Sequence, residues 1–169
     1  VIAERNCQSA GFGYVAPNKE RPMSTRILKT LKFRVPTQHR NQLVEVTERI
    51  GELLKKESVD DAVVVVYSPH TTAGVCIQEN ADPDVKTDLL AKLEAMIPKS
   101  EGYYRHAEGN SDSHLKTVLT GNSVNLLVES GKLLLGQWQG VYLCEFDGPR
   151  ERELWVKVFH DRSGASGRW

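Results

Sequence analysis

Three histidines, His70, His106 and His114, hold the strongest chemical potential in this chain of 169 residues. His70 sits in Ser68-Pro69-His70-Thr71-Thr72-Ala73, a polar cluster directly after the apolar run Ala62 to Tyr67. His106 and His114 bracket a glycine-containing stretch that also bears Glu108 and Asp112. Neutral imidazoles suit zinc, nickel, copper or iron, and three of them plus a water make an open catalytic metal site. Asp112 or Glu108 could then orient an imidazole from behind, or act as a base. The competing reading is three unrelated polar histidines, each satisfied by its own local hydrogen bond. His39, at a turn, and His160, near the end, read as solvated.

Two further clusters could contribute. Gly136-Gln137-Trp138-Gln139-Gly140 places an indole and two amides between glycines. Glycine permits close backbone approach and an indole can stack on a planar ring, although a tight hairpin with a core tryptophan explains the same residues. Glu145 ends an apolar strand and could point inward, where a carboxylate needs a cation or metal partner. Arg150 together with Lys116 could bind a phosphate, arginine in bidentate fashion; solvated surface charge is the commoner fate of such residues.

The elements that must position these groups can be read from periodicity. Leu31, Phe33 and Val35 alternate with Lys32 and Arg34 as in a half-buried strand, and Pro36-Thr37 ends it. Leu43, Val46, Ile50, Leu53 and Leu54 recur at helical spacing and predict an amphipathic helix from about Arg40 to Lys56. The β-branched run Val63 to Val66 predicts a strand buried on both faces, with a second strand over Gly74 to Gln78. Asp82-Pro83 reads as an N-cap and first helical residue, and Val85, Leu89, Leu93 and Met96 form that helix's apolar stripe up to Pro98. A polar loop over Lys99 to Ser113 leads to a short helix from Asp112 to Leu119, closed by Gly121. Strands follow over Val124 to Val128, Gly140 to Phe146 and Leu154 to Phe159, with a shorter one at Leu133 to Leu135. The order is not an alternating βαβα series, so the expected class is α+β, a mainly antiparallel sheet or sandwich with two amphipathic helices and one short one.

Composition bounds the function. Lysine plus arginine equals aspartate plus glutamate at 22 each, which removes the basic footprint of a general nucleic-acid binder. No apolar run reaches the length that spans a bilayer. Cys7, Cys76 and Cys144 are odd in number and lack a C-x-x-C spacing, so they read as free thiols in a reducing cytoplasm. Residues 1–22 read as a poorly ordered extension, residues 23–160 as one domain, and residues 161–169 as a polar tail. Glycine-rich dinucleotide and phosphate loops and the common hydrolase motifs are missing.

Taken in order, His70-Thr71-Thr72-Ala73, Glu79-Asn80-Ala81-Asp82-Pro83, Tyr104-Arg105-His106, His114-Leu115-Lys116, Gly136-Gln137-Trp138-Gln139 and the carboxylate after Cys144 resemble the YjbQ family. The resemblance spans about Thr30 to Phe159, with Thr72 where serine is frequent and Gln137 where threonine is common. It implies an α+β subunit built from antiparallel strands, assembled as a homotrimer with sites near subunit boundaries. It also implies a pocket in which His70, His106 and His114 hold a divalent metal, zinc before magnesium. The activity it implies is that of a secondary thiamine-phosphate synthase, which joins an aminopyrimidine methyl diphosphate to a thiazole phosphate and releases pyrophosphate. On that reading His70, Glu145 and Asp112 are catalytic, and Thr71, Thr72, Asn80, Lys116, Trp138, Gln139 and Arg150 bind a small-molecule substrate, phosphorylated in the synthase case. Neither nucleic acid nor membrane is an expected partner. A zinc hydrolase, with water activated by metal and Glu145 or Asp112 as base, accounts for the histidines as well. A trimeric metal- or ligand-binding module without catalysis is the third reading.

Overall fold

A computed structural model of the chain describes residues 25–27 and 30–161. The expectations for residues 1–22 and 162–169 lie outside the described residues, while Asp161 itself closes the last strand. In chain order the described elements are β1 (Thr25–Ile27), β2 (Leu31–Pro36), β3 (Gln42–Glu45), α1 (Thr47–Lys56), β4 (Ala62–Tyr67), β5 (Ala73–Glu79), α2 (Pro83–Met96), α3 (Ser111–Thr120), β6 (Ser123–Glu129), β7 (Lys132–Leu133), β8 (Gln139–Glu145) and β9 (Glu151–Asp161). All strand pairs are antiparallel, as expected for this α+β chain. The larger sheet runs β1-β9-β4-β6-β7, with β2 also pairing β9, and the smaller runs β3-β8-β5.

The period-2 pattern of each strand builds the core between the sheets. Val64 of β4 stands opposite Leu126 of β6 and Val158 of β9, and all three are buried. In the smaller sheet Val75 faces Leu143 across the β5–β8 pair, and Ile50 and Leu54 of α1 belong to the same apolar cluster. Asp82 caps α2 by accepting the Asp84 N–H at 2.9 Å, with Pro83 at the first helical position. Among the described residues no helix is long and apolar enough to cross a membrane.

Two expectations are corrected. The helix forecast from Arg40 to Lys56 begins only at Thr47, because Gln42 to Glu45 pair with β8 instead. A sheet edge satisfies those peptide groups, and their apolar spacing suits either element, so tertiary context overrides local propensity. At the junction the Val46 N–H donates to the Val141 carbonyl and the Thr47 hydroxyl accepts the Val141 N–H, each at 2.8 Å. The second correction concerns β4, which buries only Val64 and Val66 fully; Val63 and Tyr67 are exposed on the outer face, beside the exposed Leu127.

Candidate functional site

Helix α3 organises the candidate site. Its last turn docks on β5, where the Val75 N–H donates to the Gly121 carbonyl at 3.0 Å. Gly74 makes this approach feasible, since a methyl group there would collide with the Thr120 hydroxyl and the Gly121 carbonyl oxygen. Gly121 ends the helix at φ +83°, a conformation glycine adopts without steric cost. Ser111, His114, Leu115 and Val118 then fall on one helix face by their spacing of three and four.

Two cavities lie along that face. The first, about 490 Å³, is lined by Tyr103, Tyr104, Arg105, His106, Ser111, His114 and Leu115. The second, about 290 Å³, is bounded by Tyr67, His70, Thr71, His114, Val118 and Asn122 among others. His114 lines both, so the three expected histidines border one continuous stretch of surface. The His106 and His114 rings stand edge to face, 5.2 Å apart. Tyr103 and Tyr104 pack in the same manner at 5.0 Å. Neither lining contains an aspartate or glutamate.

The turn bearing His70 is held from several sides. Asn122 donates through Nδ2 to the His70 carbonyl at 2.7 Å, and the Ser68 hydroxyl donates to the Ala73 carbonyl at 2.6 Å. The His70 Nε2 lies 3.1 Å from both the backbone nitrogen and oxygen of Glu153 on β9. Burial first, and the Arg152 guanidinium second, push the His70 pKa below its ordinary 6.5, so the ring is neutral at neutral pH. A depressed folded-state pKa contributes stability that is present above pH 6.5 and lost as pH falls through the lowered value. His70→Gln is therefore expected to flatten the stability curve between about pH 7 and 5, measured by denaturant unfolding at each pH.

The expected acids and cations are placed differently. Glu145 is fully buried and its oxygens are occupied: Arg152 donates to both at 2.7 and 2.5 Å, Thr37 donates at 3.0 Å, and the N–H groups of Phe146 and Asp147 complete the shell. Asp112 is also fully buried and accepts from Arg40 at 2.8 Å and Lys116 at 3.0 Å. Lys116 is buried between Asp112 and Glu94, and Arg150 is bound to Asp147 at 2.6 Å. These four charged groups are thus engaged with partners within the chain, and none of them lines either cavity. Thr71 does border the second cavity, whereas Thr72 is buried and its hydroxyl accepts from Arg152 at 2.9 Å.

Asn80, Trp138 and Gln139 gather elsewhere. In the β5–β8 register Ala73 faces Glu145 at one end and Glu79 faces Gln139 at the other. Six residue steps along the strand separate those ends, roughly 20 Å. Asn80 donates to Glu45, the Gln139 side chain closes the turn by accepting the Gly136 N–H, and Trp138 is exposed. The structure therefore does not bring these three to the histidines. Sequence reasoning missed Tyr103 and Leu115 as lining residues, and Thr37, Arg40 and Arg152 as anchors of the buried carboxylates. Tyr104 and Arg105 entered the sequence reading only beside His106.

The residues do not fit a metal within one chain. Among the described residues no group of three or more His, Cys, Asp or Glu side chains is arranged to hold an ion. The His70 Nε2 is also occupied by the β9 backbone. The three imidazoles border common cavities without forming a ligand set.

Residues 31–161 match the model of the family described as UPF0047 protein YjbQ-like. A UPF0047 protein of Methanocaldococcus jannaschii is 45% identical over 80% of this chain and 99% of its own length. The UPF0047 protein YugU of Bacillus subtilis is 42% identical over 78% of this chain and 98% of its own. A crystal structure of an uncharacterized conserved protein of the YjbQ/UPF0047 family from Clostridium acetobutylicum superposes with a TM-score of 0.73. It is 44% identical and covers 76% of this chain and 98% of that one. These relatives correct the expectation of a thiamine-phosphate synthase or other metal-assisted enzyme. Their descriptions assign no activity, and the described residues hold no assembled metal site to carry one.

Proposed function

The chain belongs to the YjbQ-like UPF0047 family, and from the geometry along α3 we propose that it binds a small planar molecule bearing an acidic group. The observation that carries this reading is the pair of cavities sharing His114. The larger has the volume of an ordinary small-molecule site. Its two tyrosines and two imidazoles offer faces and edges to a planar ring. Arg105 and the absence of carboxylates from both linings favour an anion over a cation.

Phenyl phosphate supplies ring and anion together, with phenol and inorganic phosphate as half-probes. Calorimetric titration should show saturable binding of phenyl phosphate above that of either half-probe. His114→Ala should weaken it by about tenfold or more, which corresponds to about 1.4 kcal/mol. Equal binding by the variant, or no binding of phenyl phosphate, overturns the reading.

The same proposal includes assembly as a homotrimer. Supporting it, Val63, Tyr67 and Leu127 leave apolar area exposed on the larger sheet, and Val118 of α3, 77% exposed, borders the second cavity beside Tyr67. Light scattering should return three times the 18.9 kDa chain mass, and a monomer at micromolar concentration rejects this part.

A further inference from the structure

We infer that Cys76 and Cys144 form a thiol–disulfide exchange site, with a small-molecule disulfide such as glutathione disulfide as its co-substrate. The pair was not legible in the sequence, where the two thiols stand 68 residues apart. In the fold Cys76 lies opposite Tyr142 and Cys144 opposite Gly74 on neighbouring strands. Opposed residues of an antiparallel pair point to one face, so both sulfurs lie on the face of the smaller sheet away from Val75 and Leu143. The two Sγ atoms are 3.3 Å apart, with the Cys144 thiol donating to the Cys76 sulfur.

The two positions differ in a way that assigns their roles. Cys76 is half-buried and Cys144 is fully buried, so an incoming disulfide reaches Cys76 first. The hydrogen bond from Cys144 favours the Cys76 thiolate and lowers its pKa, while the same bond and burial push the Cys144 thiol up. The Cys76 thiolate attacks one sulfur of the glutathione disulfide and expels one glutathione thiolate, leaving a mixed disulfide on Cys76. Cys144 then gives up its proton to solvent base, attacks the Cys76 sulfur and expels the second glutathione. The protein loses two electrons and two protons, and the oxidant gains them as two thiols.

Diagonal neighbours across an antiparallel pair stand about 7–8 Å apart, somewhat less at Cβ. At Cα that exceeds the span a disulfide ordinarily bridges, so closing the bond requires the two strands to shift and leaves it strained and readily reduced. The couple is therefore reversible by small thiols. This inference is independent of the cavity reading, since neither cysteine lines a cavity along α3.

The test incubates the full chain with glutathione disulfide, alkylates it under denaturing conditions and maps the peptides. Thiols free at positions 76 and 144 should fall from two to none in a peptide pair joined through them, and reduced glutathione should restore both. Cys144→Ser should stop at one glutathionyl group on Cys76, and Cys76→Ser should leave Cys144 reduced. Alkylatable thiols at both Cys76 and Cys144 after oxidation of the unsubstituted chain, or a bond from either to Cys7, overturns the inference even if a variant fails to fold.

Discussion

Replacing Glu145 by alanine is expected to lower folding stability by about 3–5 kcal/mol. Glu145 is fully buried, and so is most of Arg152, which donates to both carboxylate oxygens. Removing the carboxylate leaves that guanidinium charged in an apolar setting with only Thr72 as a side-chain partner. It also deprives the Asp147 N–H of its described acceptor, while the Thr37 hydroxyl and the Phe146 N–H keep only the Arg150 and Thr72 carbonyls. For a chain of this length each kcal/mol moves the melting temperature by about 2–4 °C, so the transition should fall by about 10 °C. Urea unfolding should show a lower midpoint with an unchanged slope. Changing both Glu145 and Arg152 to methionine should recover much of the loss, because the pair is costly mainly when one charge is stranded. An alanine variant with an unaltered midpoint would mean that the carboxylate is held for chemistry and not for the fold.

This outcome bears on what the sequence could reveal. The inward direction of Glu145 and its need for a cation were legible from the strand pattern, but the cation was not. Thr37 lies 108 residues away and Arg152 is only seven residues along, beyond a turn whose geometry no periodicity encodes. Likewise the alternation in Leu31 to Val35 and the Asp82-Pro83 cap fixed β2 and the start of α2 correctly, because short-range sterics and hydrogen bonding decide them. Gln42 to Glu45 failed as a helix because their partner strand begins nearly a hundred residues later. At the site, the histidines were visible as a set, and His114 does face both cavities. Trp138 and Asn80 share the same ordered motifs yet sit at the far end of β5 and β8, since order along a chain carries no distance.

Asp112→Ala should cost a similar amount, about 3–5 kcal/mol, and should also disturb the cavities. Asp112 lies in the first turn of α3 and is the only described carboxylate touching both Arg40 and Lys116. Without it Lys116, 1% exposed, keeps only Glu94, and Arg40 keeps Asp147. Both cations would then be undercompensated beneath the first turn of the helix that carries Ser111 and His114. Glu94 cannot fill the gap, since it is 44% exposed and its Coulombic hold is weakened by solvent. Its carboxyl is held below the ordinary 4.5 by Lys116, so its contribution is present above that value and is lost as pH falls through the lowered one. The alanine variant should therefore be most fragile in acid. Asp112→Asn retains one acceptor oxygen and should lose less. Thermal unfolding measures the first effect, and phenyl phosphate titration of the folded variant measures the second. A base acting on substrate predicts the reverse pattern, intact folding and intact binding with chemistry alone impaired. The burial of Asp112 between two cations argues for the structural outcome, because a carboxylate with both oxygens committed cannot accept a proton without releasing one of them.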